Sequence, residues 1–245
     1  MDGEFCIENA LGQNKNPLDL EVFDMLRERG MPVTEFAFAR TAEETVQAAK
    51  EFGWPVVCKV VSRDILHKTE VGGVKLDLES ERAVREAFSD LTQGIGGRVP
   101  QAEVLGVAVY PQSPDGVEMI VGLLHDEQFG AAVMVGMGGV LVEVMDDVAF
   151  RVAPVSVDVA MEMLQDLKGF RLLMGTRSQE PADVGALVEL IAEVSCLGKD
   201  DRIGELDLNP VMVYADGVCI VDARMIWTEE AKENLGAATD QVGSG

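Results

Sequence analysis

Apolar and polar positions alternate most cleanly at Val74, Leu76 and Leu78, with Lys75 and Asp77 between them. This pattern predicts a strand with one face turned inward. Upstream, Val56, Val57, Cys58, Val60 and Val61 form an almost unbroken, mostly β-branched run opened by Pro55, the mark of a buried strand. Lys59 interrupts it. Side chains alternate along a strand, so Lys59 shares a face with Val57 and Val61. An ammonium there needs an anionic partner, or must snorkel to water. Between the two strands lie His67, Lys68, Thr69, Glu70 and the pair Gly72-Gly73. Glycines let backbone N–H groups approach a phosphate chain and lysines neutralise it. A surface hairpin with a snorkelling lysine fits the same residues.

Helical spacing marks the other elements. Asn16-Pro17 reads as the start of a helix with Leu20, Phe23 and Leu26 inward, stopped by Gly30. Thr41 to Glu44 is a capping box ahead of Val46, Ala49 and Phe52. Ser80 caps a helix bearing Val84, Ala87, Phe88 and Leu91, and Ser156 one bearing Ala160, Met163, Leu164 and Leu167. Pro181 begins a long helix with Leu187, Leu190, Ile191, Val194 and Leu197 inward. Further strands are predicted at 33–38, 104–110, 117–124, 131–135 and 140–144, and the glycine-rich 92–100 stretch reads as a loop. The class is α/β (α+β) with two lobes. The boundary is expected within 92–105: an arm at 1–18, a small lobe at 19–105, a large lobe at 106–228 and a tail at 229–245.

Near the C-terminal end, Glu205 to Tyr214 and Val218 to Arg224 flank Asp216-Gly217, a strong hairpin signal. A two-residue turn pairs Val213 with Ile220 and Val211 with Asp222, leaving Asn209 diagonal to Asp222 on one face, with Asp207 extending the row. Two carboxylates and an amide oxygen suit Mg²⁺, which completes its shell with water and substrate phosphates. A solvated acidic strand face is the plain alternative, and a three-residue turn would move Asp222 to the other face. Gly136-Met137-Gly138-Gly139 resembles a dinucleotide fingerprint only superficially, because Leu141 replaces the third glycine and a strand-like run follows. Arg151 either neutralises Asp146 and Asp147 or contacts phosphate. Glu118 sits on the strand at 117–124.

Charge narrows the function. The chain of 245 residues carries 43 acidic against 20 basic residues, a formal charge of −23. That argues against nucleic acid and against an anionic membrane surface as partners. It leaves room for a local cationic nucleotide site. The four cysteines, Cys6, Cys58, Cys196 and Cys219, are widely separated and form no C-x-x-C pair, as expected of a reduced, cytoplasmic protein. The N-terminus lacks a signal-peptide pattern, and no apolar run is long enough to span a bilayer.

Three segments together, PVVCKVVSRDILHKTEVGGVKL, GVEMIVGLLHDEQFGAAVMVGMGGVLVEVMDDVAFRVAP and GELDLNPVMVYADGVCIVDAR, resemble the ATP-grasp subunit of ADP-forming acyl-CoA synthetases, relatives of the succinyl-CoA synthetase β subunit. The resemblance spans nearly all of Asp19 to Met225. It implies an ATP-grasp fold, two lobes with mixed sheets enclosing a nucleotide cleft. By the same resemblance, Lys59 contacts the ATP phosphates, and His67, Lys68, Gly72 and Gly73 form the loop that covers them. The segment Ala108 to Glu118, including Val109 and Tyr110, is the hinge against which adenine packs. Asn209 and Asp222 hold Mg²⁺ with Asp207 beside them, and Arg151 lies near the transferred phosphoryl group. His67 is a candidate relay. The family departs here in Tyr110, Gln112 and Arg63, where Gln, Met and Pro are common. The implied partner is a CoA-binding α subunit carrying a phosphohistidine, through which CoA and a small carboxylic acid enter. A carboxylate–amine ligase of the same fold and a non-catalytic regulatory subunit are the rival readings.

Overall fold

The computed structural model describes residues 7, 10, 15–65, 67–126, 128–139, 147–175 and 180–233. The chain divides into two compact units, Thr34–Pro114 and Met1–Val33 together with Asp115–Gly245.

The unit at 34–114 is a four-stranded antiparallel sheet in the order β1-β4-β2-β3, from β1 (Ala37–Ala39), β2 (Val56–Val61), β3 (Val74–Leu78) and β4 (Gly106–Pro111). The boundary expected between 105 and 106 therefore shifts. β4 pairs with β2 along its whole length, from Val56–Pro111 to Val61–Gly106, and belongs to this sheet. The segment at 19–33 belongs to the other unit. One sheet face presents Val56, Cys58, Val60, Val107 and Val109 to the helices Ala42–Phe52 and Glu81–Ser89, through Val46, Ala49, Val84 and Ala87. The capping box forms as read: Thr41 Oγ1 accepts from the Glu44 N–H at 3.2 Å, and the Glu44 carboxylate accepts from the Thr41 N–H at 3.2 Å.

The stretch read as a loop at 92–100 is largely helical. A π-turn at Asp90–Gly94 runs into a helical turn at Ile95–Arg98. Leu91 and Ile95 are fully buried in the sheet core. Each contributes roughly 1.5–3 kcal/mol of burial, enough to offset about 1 kcal/mol per glycine in a helix.

The other unit is built on a six-stranded antiparallel sheet. Its path is β10-β8-β5-β6-β7, with β9 paired to β8. The strands are β5 (Val117–Asp126), β6 (Gly130–Met137), β7 (Val148–Val152), β8 (Ile203–Val213), β9 (Val218–Ile220) and β10 (Ala223–Trp227). Ladders in both sheets are antiparallel where mixed sheets were expected, and the parallel contact among the described residues is an isolated bridge between Val33 and Ile220. The strand expected at 140–144 lies outside the described residues. The long helix runs Val184–Cys196, opened by Asp183, whose carboxylate accepts from the Ala186 N–H at 2.9 Å, rather than at Pro181. The first helix runs Asp19–Glu28. Asn16 does not cap it. Its amide oxygen accepts from the Trp227 N–H at 3.4 Å, while Glu21 reaches back to the Leu18 N–H at 2.8 Å. Among the described residues, no helix is long and apolar enough to cross a membrane.

Candidate functional site

In the 34–114 unit the alternation around Lys59 holds. Cys58 and Val60 enter the helix-covered core, and Lys59 stands on the opposite face with Val57 and Val61. Lys59 is only 5% exposed. Its ammonium lies 4.8 Å from the centre of the Tyr110 ring, within cation–π range. Val109, by contrast, is a core residue on the helix side. The loop after β2 closes on its own backbone. The Gly72 N–H donates to Thr69 at 3.0 Å, the Gly73 N–H to Lys68 at 2.6 Å, and the Val60 N–H to Gly73 at 2.9 Å. Gly72 has φ +69°, and a Cβ on Gly73 would stand 2.8 Å from the Lys68 carbonyl oxygen, so both positions require glycine. His67 is exposed and Lys68 half-buried.

Sequence reasoning missed what fastens this loop. Arg98 donates to the Val71 carbonyl at 2.9 Å and to Asp90 at 2.7 Å, and Asp90 also pairs with Lys75. The Lys75 ammonium is the main reason that the Asp90 carboxyl titrates below its ordinary range. The apolar pair Leu91 and Ile95, one helical turn apart, was the available signal that Arg98 is held in place.

In the other unit the acidic hairpin forms with a shifted register. Val213 pairs with Val218, and Val211 with Ile220, across a four-residue turn closed by the Tyr214 N–H donating to Gly217 at 2.9 Å. A shift of two residues preserves the faces. It also brings Asn209 directly opposite Asp222, whose carbonyl accepts from the Asn209 N–H at 3.2 Å, in place of the diagonal expected. β8 buries Leu206 and Leu208, then Val211 and Val213. The parity change coincides with a register shift between Met119 and Val121 of the neighbouring strand. Asp207, Asn209 and Asp222 are thereby left on one face. The cross-strand row Glu118, Met212 and Cys219 lies on the same face. Gly138 packs on Glu118, donating its N–H to the Glu118 carbonyl at 2.6 Å, and a Cβ on Gly139 would sit 2.9 Å from a Glu118 carboxylate oxygen. Gly136 and Met137, read as part of a glycine-rich turn, extend β6, and Gly138 and Gly139 directly after it serve as a backstop for Glu118.

Arg151 is not brought to this row. It lies on the core face of β7, opposite Val133, and pairs with Asp166 at 2.6 Å. It does not serve Asp147, which is buried and accepts the Lys168 and Gly169 N–H groups at 2.8 and 2.7 Å.

Electrostatics single out Asp207. Burial raises its pKa from the ordinary 3.8. Arg224 opposes the rise, and the nearby carboxylates Glu205 and Asp222 add to it. Such a cluster favours a bound cation. Among the described residues no group of three or more His, Cys, Asp or Glu side chains forms a protein cage for a metal. The Asn209–Asp222 pair with Asp207 is instead a sparse set of hard oxygens, which fits Mg²⁺ that keeps its waters and takes phosphate oxygens.

Because the folded chain holds the Asp207 proton to higher pH than the unfolded chain does, this group's contribution to stability falls as pH rises from 3.8 through the raised value. Asp207→Asn is therefore expected to leave the metal-free melting temperature unchanged or raise it by about 1–2 °C at neutral pH. The same substitution should weaken Mg²⁺-dependent nucleotide binding. Thermal shift with and without Mg–ATP checks both.

The family model of the ATP-grasp domain matches residues 9–226. The β subunit of ADP-forming acetate–CoA ligase I of Pyrococcus furiosus is 42% identical over 221 residues, covering 90% of this chain and 95% of that one. ADP-forming acetate–CoA ligase I of Archaeoglobus fulgidus is 41% identical over 228 residues, which is 93% of this chain and 33% of that longer one. The dinucleotide forming acetyl-coenzyme A synthetase 1 of Ca. Korarchaeum cryptofilum, solved with coenzyme A, Ca-AMPCP and HgCl+, matches with TM-score 0.86 and 42% identity, covering 90% of this chain and 97% of that one. A second structure of that enzyme, with coenzyme A and Mg-AMPPCP and its phosphohistidine segment pointing towards the nucleotide binding site, matches with TM-score 0.76 and 39% identity over 91% of this chain and 98% of that one. The chain belongs to the ATP-grasp family. Within it, the chain is the nucleotide-binding subunit of an ADP-forming acid–CoA ligase.

Proposed function

We propose that this chain binds Mg–ATP or Mg–ADP, with a phosphate-holding set in the 34–114 unit and a metal-holding set in the other. In this reading Lys59, Lys68 and the Gly72–Gly73 backbone hold the phosphates. Asn209 and Asp222 ligate Mg²⁺, with Asp207 beside them. The backbone of the segment that carries Val109 and Tyr110 flanks the adenine, and Glu118, backed by Gly138 and Gly139, marks the edge of the site. The observation that carries the proposal is the direct opposition of Asn209 and Asp222 on the face that also bears Asp207. Bound Mg²⁺ would neutralise phosphate oxygens as charge develops. Lys59 would stabilise the same charge from a buried position, where electrostatic contacts are stronger than in water.

The phosphoryl acceptor is an imidazole nitrogen of a partner subunit. The bond between the γ-phosphorus and the β–γ bridging oxygen breaks, a P–N bond forms, ADP leaves, and the imidazole gives up a proton to solvent. His67, exposed in the phosphate loop, is the candidate relay in this chain. Arg151, tied to Asp166, takes a structural part in this account. The partner also carries the CoA and carboxylic acid sites, in keeping with the single-chain Archaeoglobus ligase, of which this chain spans 33%. We place the complex in the cytoplasm.

Alone, the chain is expected to bind Mg–ATP and to make no acyl-CoA. With its α subunit it should release ADP only when both CoA and an acid are supplied, and label from [γ-³²P]ATP should appear on the α subunit as acid-labile phosphate. ADP release that depends on an amine and not on CoA would contradict this function. Labelling unchanged in His67→Ala would remove the relay.

A further inference from the structure

We infer that Tyr110 is the seat that fixes the Lys59 ammonium, and so is a positioning residue for the phosphate contact rather than a wall for adenine. The inference rests on the reading of Lys59 as a phosphate ligand. Three observations support it. The Lys59 ammonium lies 4.8 Å from the Tyr110 ring centre. Tyr110 pairs with Val57 while Lys59 pairs with Ala108, so the two side chains are diagonal neighbours on one face of adjacent antiparallel strands. Third, both groups are out of water, Tyr110 being 2% and Lys59 5% exposed.

A buried ring leaves little area on which a base could stack. A cation held over a ring face is attracted more strongly when desolvated. The ring itself is braced by Phe36, whose centre lies 6.2 Å away at a 43° tilt. Lysine is a point charge on a flexible four-carbon stem, so a fixed seat removes rotamer freedom before the anion arrives. Such preorganisation is most valuable at a group that meets charge as it develops.

The test keeps the ring's shape and changes only its electrostatics. In the α–β complex, residue 110 is replaced by Phe and then by mono-, di- and trifluorinated Phe, and the Mg–ATP dissociation constant is measured by calorimetry. Phe sets the reference of the series, and from it affinity should fall stepwise with each fluorine to a total loss of roughly tenfold. A flat series, in variants whose melting temperatures match the native one, overturns the inference if Lys59→Met still weakens binding. If Lys59→Met binds Mg–ATP normally, the phosphate reading fails and the inference fails with it. A measurement on the native chain needs no variant. The Lys59 ε-methylene protons should resonate well upfield of an ordinary lysine through the ring current of Tyr110, and an unshifted resonance contradicts the seat.

Discussion

Lys59→Met is expected to weaken Mg–ATP binding on the order of 100-fold and to abolish CoA-dependent ADP formation, with the fold intact. Losing one side of a desolvated, hydrogen-bonded charge pair costs about 2–5 kcal/mol. The same ammonium is only 5% exposed, on a face shared with Val57 and Val61, and cysteine and valine fill the other side of the strand. Methionine has a similar length and no charge to desolvate. The loss of affinity should therefore be far larger than any change in the melting temperature of the nucleotide-free chain accounts for. Calorimetry and thermal denaturation on one preparation give both readouts. A substituted chain that melts lower and still binds Mg–ATP would place Lys59 in the scaffold.

Asp222→Asn is expected to lower Mg²⁺-dependent affinity by a comparable factor, on the order of 100-fold. It should do so in a way that added Mg²⁺ partly reverses, a rescue that Lys59→Met must not show. The substitution keeps the shape and removes one of the carboxylates around Asp207. It also retains a side-chain oxygen for the Ala223 N–H, which the Asp222 carboxylate accepts at 3.0 Å, so the local turn should survive. Nucleotide binding measured across a range of Mg²⁺ concentrations distinguishes a lost ligand from a lost fold. Equal losses with and without Mg²⁺ would mean that Asp222 does not serve the metal.

The sequence legibly marked those features that depend on local periodicity. Alternation at Val56–Val61 placed Lys59 opposite the helix-covered face, and the Thr41–Glu44 capping box appears as read. The hairpin shows what periodicity leaves open. Asp216-Gly217 announced a turn, but its length is set by how Tyr214 closes on Gly217 and by pairing with the neighbouring strand. The register moved by two, the strand changed parity between Asn209 and Val211, and Asn209 gained a closer partner. Glycines misled at 94–97, because burial of Leu91 and Ile95 overrides weak helix propensity. Arg151 and Arg98 illustrate a different limit. Each found its acid through tertiary packing, Asp166 for one and Asp90 for the other, and spacing along the chain identified neither pairing.

The most direct measurement is a crystal structure of the α–β complex with Mn²⁺ and a non-hydrolysable ATP analogue, with the ion located by its anomalous scattering. The account predicts one anomalous peak bonded to the Asp222 carboxylate and the Asn209 amide oxygen, on an analogue whose terminal phosphates also meet the Lys59 ammonium. A peak held by other side chains, or an analogue whose phosphates lie away from Lys59, would contradict it.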